Sequence, residues 1–172
     1  RYRLGDLLGK GANGFVHNAT DQRLGRDVAL KFHSKEANLS PIELGRFAHE
    51  AQVTGQLSHP SIVPVHDLGI LPDGRPYYAM KRIAGDTLKQ VFDRLKDEDP
   101  EAIAEWTIPH FVSVMLRVAQ ACAFAHDHGV VHAASQHRMR VADHKRGQVA
   151  RYLVWHRDDP IQVEAAATKG DR

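Results

Sequence analysis

The chain contains a single cysteine, Cys122, so neither an intrachain disulfide framework nor a multi-thiolate metal site is open to it. It also lacks an uncharged apolar run as long as a membrane span, because Arg117 interrupts the best candidate, residues 111–131. That predicts no membrane segment in this chain. Charge of one sign is missing as well: the net charge is +2, close to neutral, and the total points to no dedicated nucleic-acid binder. Internal repeats and low-complexity tracts are absent, and an ordinary globular composition rules out collagen-like, wholly disordered and coiled-coil classes. What remains, at 172 residues, is one globular domain or one domain with part of another. Sparse cysteine favours a reducing, cytoplasmic setting. The chain opens on Arg1 rather than Met, which leaves a preceding segment, a signal peptide included, open.

What is present divides near residue 133. Up to there basic and acidic residues balance. Between residues 133 and 157 Arg138, Arg140, Lys145, Arg146, Arg151 and Arg157 face only Asp143. Residues 2–8, 15–20 and 27–33 carry strand formers, and residues 62–70 and 76–83 make two more strands around the turn Leu71-Pro72-Asp73-Gly74. Ser40-Pro41-Ile42-Glu43 predicts a helix start with N-cap, Pro at the first helical position and capping box, running to about Leu57. Residues 97–101 read as a polar acidic hinge. A second helix over about 108–127 is apolar almost all round (Phe111, Val114, Met115, Val118, Cys122, Phe124) and predicts burial on most sides.

Gly9-Lys10-Gly11-Ala12-Asn13-Gly14 is a glycine-rich turn followed by strand formers beginning Phe15-Val16, not by a helix. Such a hairpin tip lets backbone approach phosphates, although a plain hairpin turn has the same composition. In the third strand, alternation places Val28, Leu30 and Phe32 on one face and Ala29, Lys31 and His33 on the other. A lysine beside a small alanine leaves room for a flat ligand and offers an ammonium to its phosphates; a solvated strand lysine is the bland reading. Glu50 lies within the helical arc of Phe47, Val53, Thr54 and Leu57, so it points coreward and needs a cationic partner. Lys31 is the candidate.

With those residues in view, the chain resembles the protein kinases, most closely the eukaryotic-like Ser/Thr kinases of bacteria, over roughly residues 2–132. Leu8–Val16 resembles the nucleotide loop, Val28–Lys31 the strand of the phosphate-binding lysine, and Arg46-Phe47-x-x-Glu50-Ala51 the helix carrying its partner. His59–Val65 resembles the approach to the fourth strand. Met80–Leu88 resembles gatekeeper, hinge and following turn, and Ala125-His126-x-x-Gly129-Val130-Val131-His132 the run into the catalytic loop. The resemblance implies an α+β fold: a kinase N-lobe of five antiparallel strands and one helix over 1–84, and a hinge and opening of a helical C-lobe over 85–132. Residues 133–172 would form a degenerate catalytic-loop region with a basic tail. It implies ATP as cofactor, bound by Leu8, Gly9, Lys10, Gly11, Ala12, Asn13, Gly14, Phe15, Val16, Ala29, Lys31, Met80, Lys81 and Ile83, with Glu50 as the lysine's partner. The implied activity is transfer of the γ-phosphate to Ser or Thr hydroxyls of a protein substrate.

The pattern then fails where chemistry occurs. The family's H-R-D-x-K-P-x-N reads here His132-Ala133-Ala134-Ser135-Gln136-His137-Arg138-Met139. Ala134 stands at the proton-accepting Asp, Gln136 at the Lys and Met139 at the metal-holding Asn, and no D-F-G follows. No catalytic residue is intact, and the magnesium ligands the family implies are not found. His126, His128, His132 and His137 have the chemistry for zinc or nickel, but His126 and His132 match structural positions of the family. The basic stretch 138–157 lacks interleaved aromatics and reads as a solvated tail, so no nucleic-acid partner is expected. Three readings compete: a kinase gene product whose pattern is lost after His132 through truncation or an altered reading frame; a pseudokinase serving as a regulatory or scaffold nucleotide-binding module; and a vestigial site with a tail that binds an acidic partner.

Overall fold

In a computed structural model, residues 1–11, 14–33 and 39–130 are described, with the backbone of residues 140–141 and 151–152. Five strands, β1 (Tyr2–Gly11), β2 (Gly14–Asp21), β3 (Arg26–His33), β4 (Val65–Ile70) and β5 (Pro76–Lys81), form one antiparallel sheet in the order β1-β2-β3-β5-β4. Four helices accompany it: α1 (Pro41–Gln56), α2 (Leu88–Lys96), α3 (Pro100–Glu105) and α4 (Ile108–Asp127). Two-residue strands β6 (Arg140–Val141) and β7 (Arg151–Tyr152) pair with each other.

Local chemistry accounts for the elements. Ser40 caps α1 with both hydrogen bonds of the capping box to Glu43 in place. At the β4–β5 turn the Gly74 amide donates to the Leu71 carbonyl with Gly74 at φ +85°, a backbone region suited to glycine. Strand alternation divides the core as the sequence implies. Val28, Leu30 and Phe32 pack with Ala19 and Ala79 on one face of the sheet. On the other face Ala29 packs with Phe47 and Ala51 of α1, and with Val63, Tyr78, Met80 and Ile83. The first face closes on itself because the sheet coils. The rings of Tyr2 on β1 and Tyr77 on β5 meet edge to face at 5.5 Å although two strands lie between them. Arg1 and Tyr2 then reach Asp67 on β4, the opposite edge of the sheet, at 2.8 and 2.9 Å.

Several boundaries and one expectation of burial differ from the sequence reading. The fourth strand begins at Val65 rather than at residue 62, because Ile62 turns away to pack with Leu57, Ala121 and Ala125. β5 stops at Lys81. The acidic stretch 97–101 is not a hinge but a joint between two helices: Asp97 closes α2, and Asp99 caps α3, whose first residue is Pro100. Helix α4 buries one stripe only, Val114, Ala121 and Ala125, while Ile108, Val112, Met115 and Leu116 are exposed. The same helix is long and apolar enough to cross a membrane by length and composition, a test that a core helix also passes, and Arg117 lies within it as the sequence reading noted.

Candidate functional site

The hairpin of β1 and β2 brings the glycine turn over the edge of the sheet, with Gly9 opposite Val16, Lys10 opposite Phe15 and Gly11 opposite Gly14. Two register shifts between Leu4 and Gly9 bend β1 as it enters the turn. Ala12 and Asn13, at the tip, lie outside the described residues. Gly14 is fixed by packing rather than by any ligand: a Cβ there would stand 1.9 Å from the Phe32 carbonyl oxygen, inside the backbone of β3. The Lys10 ammonium sits 5.3 Å from the centre of the Phe15 ring.

Beneath the hairpin, β3 runs between β2 and β5, so that Ala29 stands opposite Met80, and Lys31 stands between Val16 and Tyr78. Leu8, Val16, Ala29, Met80 and Ile83, predicted as apolar walls and hinge, belong to one continuous cluster. Lys81 is exposed, and its amide donates to the Pro64 carbonyl at 3.1 Å, so any base edge at the hinge would be read by groups other than that amide.

The polar centre of this face is Lys31, whose side chain is only 2% exposed. Its Nζ lies 2.7 Å from Glu50 Oε1, as the helical arc of α1 predicts. Burial without that carboxylate would strand the ammonium, which is why the pair is a condition of this fold and not an ornament of it. Phe47 and Ala51 dock α1 here: the Phe47 ring packs 5.2 Å from that of Tyr78, and the small Ala51 lets the helix approach. A third group, which the sequence reading missed, completes the centre. Tyr78 is buried, and its hydroxyl donates to the same Glu50 Oε1 at 2.8 Å, while its ring faces Lys31 Nζ at 5.3 Å. Burial first, and then the neighbouring Glu50 carboxylate, raise the Tyr78 phenol well above its ordinary value, so it stays a donor. The signal was available. Tyr78 precedes Met80 by two in a strand and must share its face.

The remaining candidates are placed as follows. Ala134, Gln136, Met139, His132 and His137 lie outside the described residues. His126 and His128 are exposed at the end of α4, where His128 Nδ1 is 2.8 Å from the Phe124 carbonyl. Among the described residues no group of three or more His, Cys, Asp or Glu side chains is arranged to hold a cation. Met139 carries no oxygen donor on its side chain where the resemblance implies the family's metal-holding Asn. The described residues thus offer no cluster of oxygen donors for magnesium.

A hairpin of glycines over a buried Lys–Glu pair on a five-stranded antiparallel sheet is matched by the family model described as protein kinase domain, over residues 2–133. The chain belongs to the protein kinase family. It is 36% identical over 135 residues to a probable serine/threonine-protein kinase of Streptomyces coelicolor, covering 77% of this chain and 19% of that protein. It is 37% identical to serine/threonine-protein kinase PknB of Mycobacterium tuberculosis, covering 77% of this chain and 20% of that one. Against the DNA damage-responsive serine/threonine-protein kinase RqkA of Deinococcus radiodurans it is 34% identical over 133 residues, 77% of this chain and 19% of that protein. The chain thus spans about a fifth of the length of the curated relatives it matches.

Proposed function

We propose that this kinase-family chain binds ATP between the glycine hairpin and the hinge, and does not transfer its γ-phosphate to protein Ser or Thr hydroxyls at a kinase-like rate. The observation that carries the reading is the buried Lys31–Glu50 pair beside the apolar cluster of Leu8, Val16, Ala29 and Met80. In this reading the apolar residues cover the faces of the adenine, and the hinge at Lys81–Ile83 reads its edge. Gly9 and Gly11 let the loop backbone approach the phosphates, with Lys10, Ala12, Asn13, Gly14 and Phe15 completing the loop. Glu50 aims the Lys31 ammonium at the phosphates, so that Lys31 orients them.

Catalysis needs more than this. A positioned general base typically contributes about 10²–10⁴-fold, and Ala134 cannot serve as one. Met139 cannot hold a metal as the family's Asn does, which forfeits electrostatic stabilisation of the transferring phosphoryl group, usually the larger effect. The abrupt end of the kinase pattern after His132 favours a gene product with an altered reading frame or a truncation over a selected pseudokinase. Translating the coding DNA across residues 130–172 in its other two frames discriminates between them. An intact H-R-D-x-K-P-x-N in another frame supports the first, and its absence supports the pseudokinase. The functional test is calorimetric titration with ATP, with and without Mg²⁺, beside autophosphorylation and generic-substrate assays. Saturable binding that Lys31→Ala abolishes, without turnover, is the expected result. Robust turnover that depends on Lys31 overturns the reading.

A further inference from the structure

We infer that Tyr78 is a positioning residue for the Lys31–Glu50 pair: its hydroxyl fixes the Glu50 carboxylate independently of Lys31, so that the ammonium can turn to a nucleotide phosphate without the carboxylate following it. The inference rests on the ATP-site reading for its functional consequence, and on geometry alone for the positional role. Two donors converge on one oxygen, the Lys31 ammonium at 2.7 Å and the Tyr78 hydroxyl at 2.8 Å, both from side chains at most 3% exposed. They come from adjacent strands at paired positions, Lys31 on β3 and Tyr78 on β5. A lysine reaches its partner through four rotatable bonds, whereas a tyrosine ring has two and is here wedged against Phe47. Of the two donors, Tyr78 is thus the rigid one. The competing reading is that Tyr78 fills space beneath α1 and its hydroxyl merely finds a nearby acceptor. The two readings differ on what happens when the ring is kept and the hydroxyl removed.

The test is site-resolved modification of Lys31 by an amine-reactive acylating reagent, read by mass spectrometry on the full chain, for wild type, Tyr78→Phe and Tyr78→Leu. Lys89, which is 83% exposed, serves as the internal control. A buried lysine reacts only when its pair opens. Loss of a hydrogen bond to a carboxylate should raise the Lys31 rate in Tyr78→Phe about tenfold while Lys89 is unchanged. A Tyr78→Phe rate indistinguishable from wild type, with only Tyr78→Leu accelerated, assigns Tyr78 to space-filling and overturns the inference. Repeating the series with ATP and with adenosine separates the two proposals. Positioning predicts that Tyr78→Phe weakens protection of Lys31 by ATP, and weakens adenosine binding less. Equal weakening of both counts against positioning. Absence of ATP protection in wild type sinks the nucleotide reading alone, and the nucleotide-free rates still decide the role of Tyr78.

Discussion

Tyr77 and Tyr78 are neighbours on β5, and their hydroxyls serve carboxylates on opposite faces of the same sheet. On the α1 face, Glu50 Oε1 accepts from Lys31 and Tyr78. On the coiled face, Asp67 Oδ2 accepts from Arg1 at 2.8 Å, Tyr2 at 2.9 Å and Tyr77 at 3.2 Å. The second hub has more donors and ties the two edges of the sheet together, yet its charged pair is far wetter: Arg1 and Asp67 are 32% and 23% exposed, against 2% and 12% for Lys31 and Glu50. Number of contacts and energetic weight therefore part company. Water can replace any donor of Asp67, whereas nothing but Glu50 neutralises Lys31.

The largest expected effect breaks the comparison at its centre. Glu50→Ala leaves a buried ammonium unpaired and should lower unfolding stability by about 3–5 kcal/mol, a range typical of broken buried pairs. Asp67→Ala should cost about 1–2 kcal/mol, since its partners can turn to solvent. Urea denaturation of both variants checks the ordering, and equal losses would erase the distinction drawn between the two faces. Next in size is the tyrosine pair itself. Tyr78→Phe should cost about 1.5–3 kcal/mol, the usual worth of a hydrogen bond to a charged group, and Tyr77→Phe about 0.5–1 kcal/mol at its wetter carboxylate.

Alkaline pH sharpens the same contrast. Burial, with hydrogen bonds to Asp67 or Glu50, raises the phenols of Tyr2, Tyr77 and Tyr78 above the ordinary 10.0. The folded state thus holds these protons after the unfolded chain has released them. Their contribution is complete below pH 10, where unfolded tyrosine titrates, and is lost progressively as pH rises toward the folded values. Stability should fall above that pH, and Tyr78→Phe and Tyr2→Phe should each flatten the decline in a pH series of denaturation midpoints. The smallest effect is ionic. Raising NaCl to about 1 M, where screening reaches about 3 Å, should weaken the Arg1–Asp67 contact and leave the Lys31–Glu50 pair nearly untouched, as read by double-mutant cycles at both salts.

Much of the sheet was legible because strands announce themselves locally. The alternation Val28-Ala29-Leu30-Lys31 predicts both faces, and Ser40 with Glu43 predicts the start of α1. Helices α2 and α3 were overlooked although Thr87 and Gln90 form the same capping box as Ser40 and Glu43. The density of charge around Asp97–Glu101 masked Asp99-Pro100, which is itself a helix start. For α4 the period was right and the burial wrong. Composition reports how apolar a helix is, and neighbours decide which side is covered: Val53, Leu57 and Ile62 reach only the face of Ala121 and Ala125.

The sequence by itself determined the family, the five strands of the sheet with α1 and α4 in chain order, the faces of β3 and the identity of Lys31 and Glu50 as partners, because periodicity and local hydrogen-bonding chemistry act over a few residues. Only the tertiary structure decided that Gly14 is required by the backbone of β3, that the sheet coils until Arg1 meets Asp67, and that Tyr78 joins the Lys31–Glu50 pair. Glu50 is separated from its two donors by 19 and 28 residues of chain. Their convergence on a single oxygen is set by strand register and by the depth at which Phe47 and Ala51 seat α1, and no local pattern encodes a packing distance.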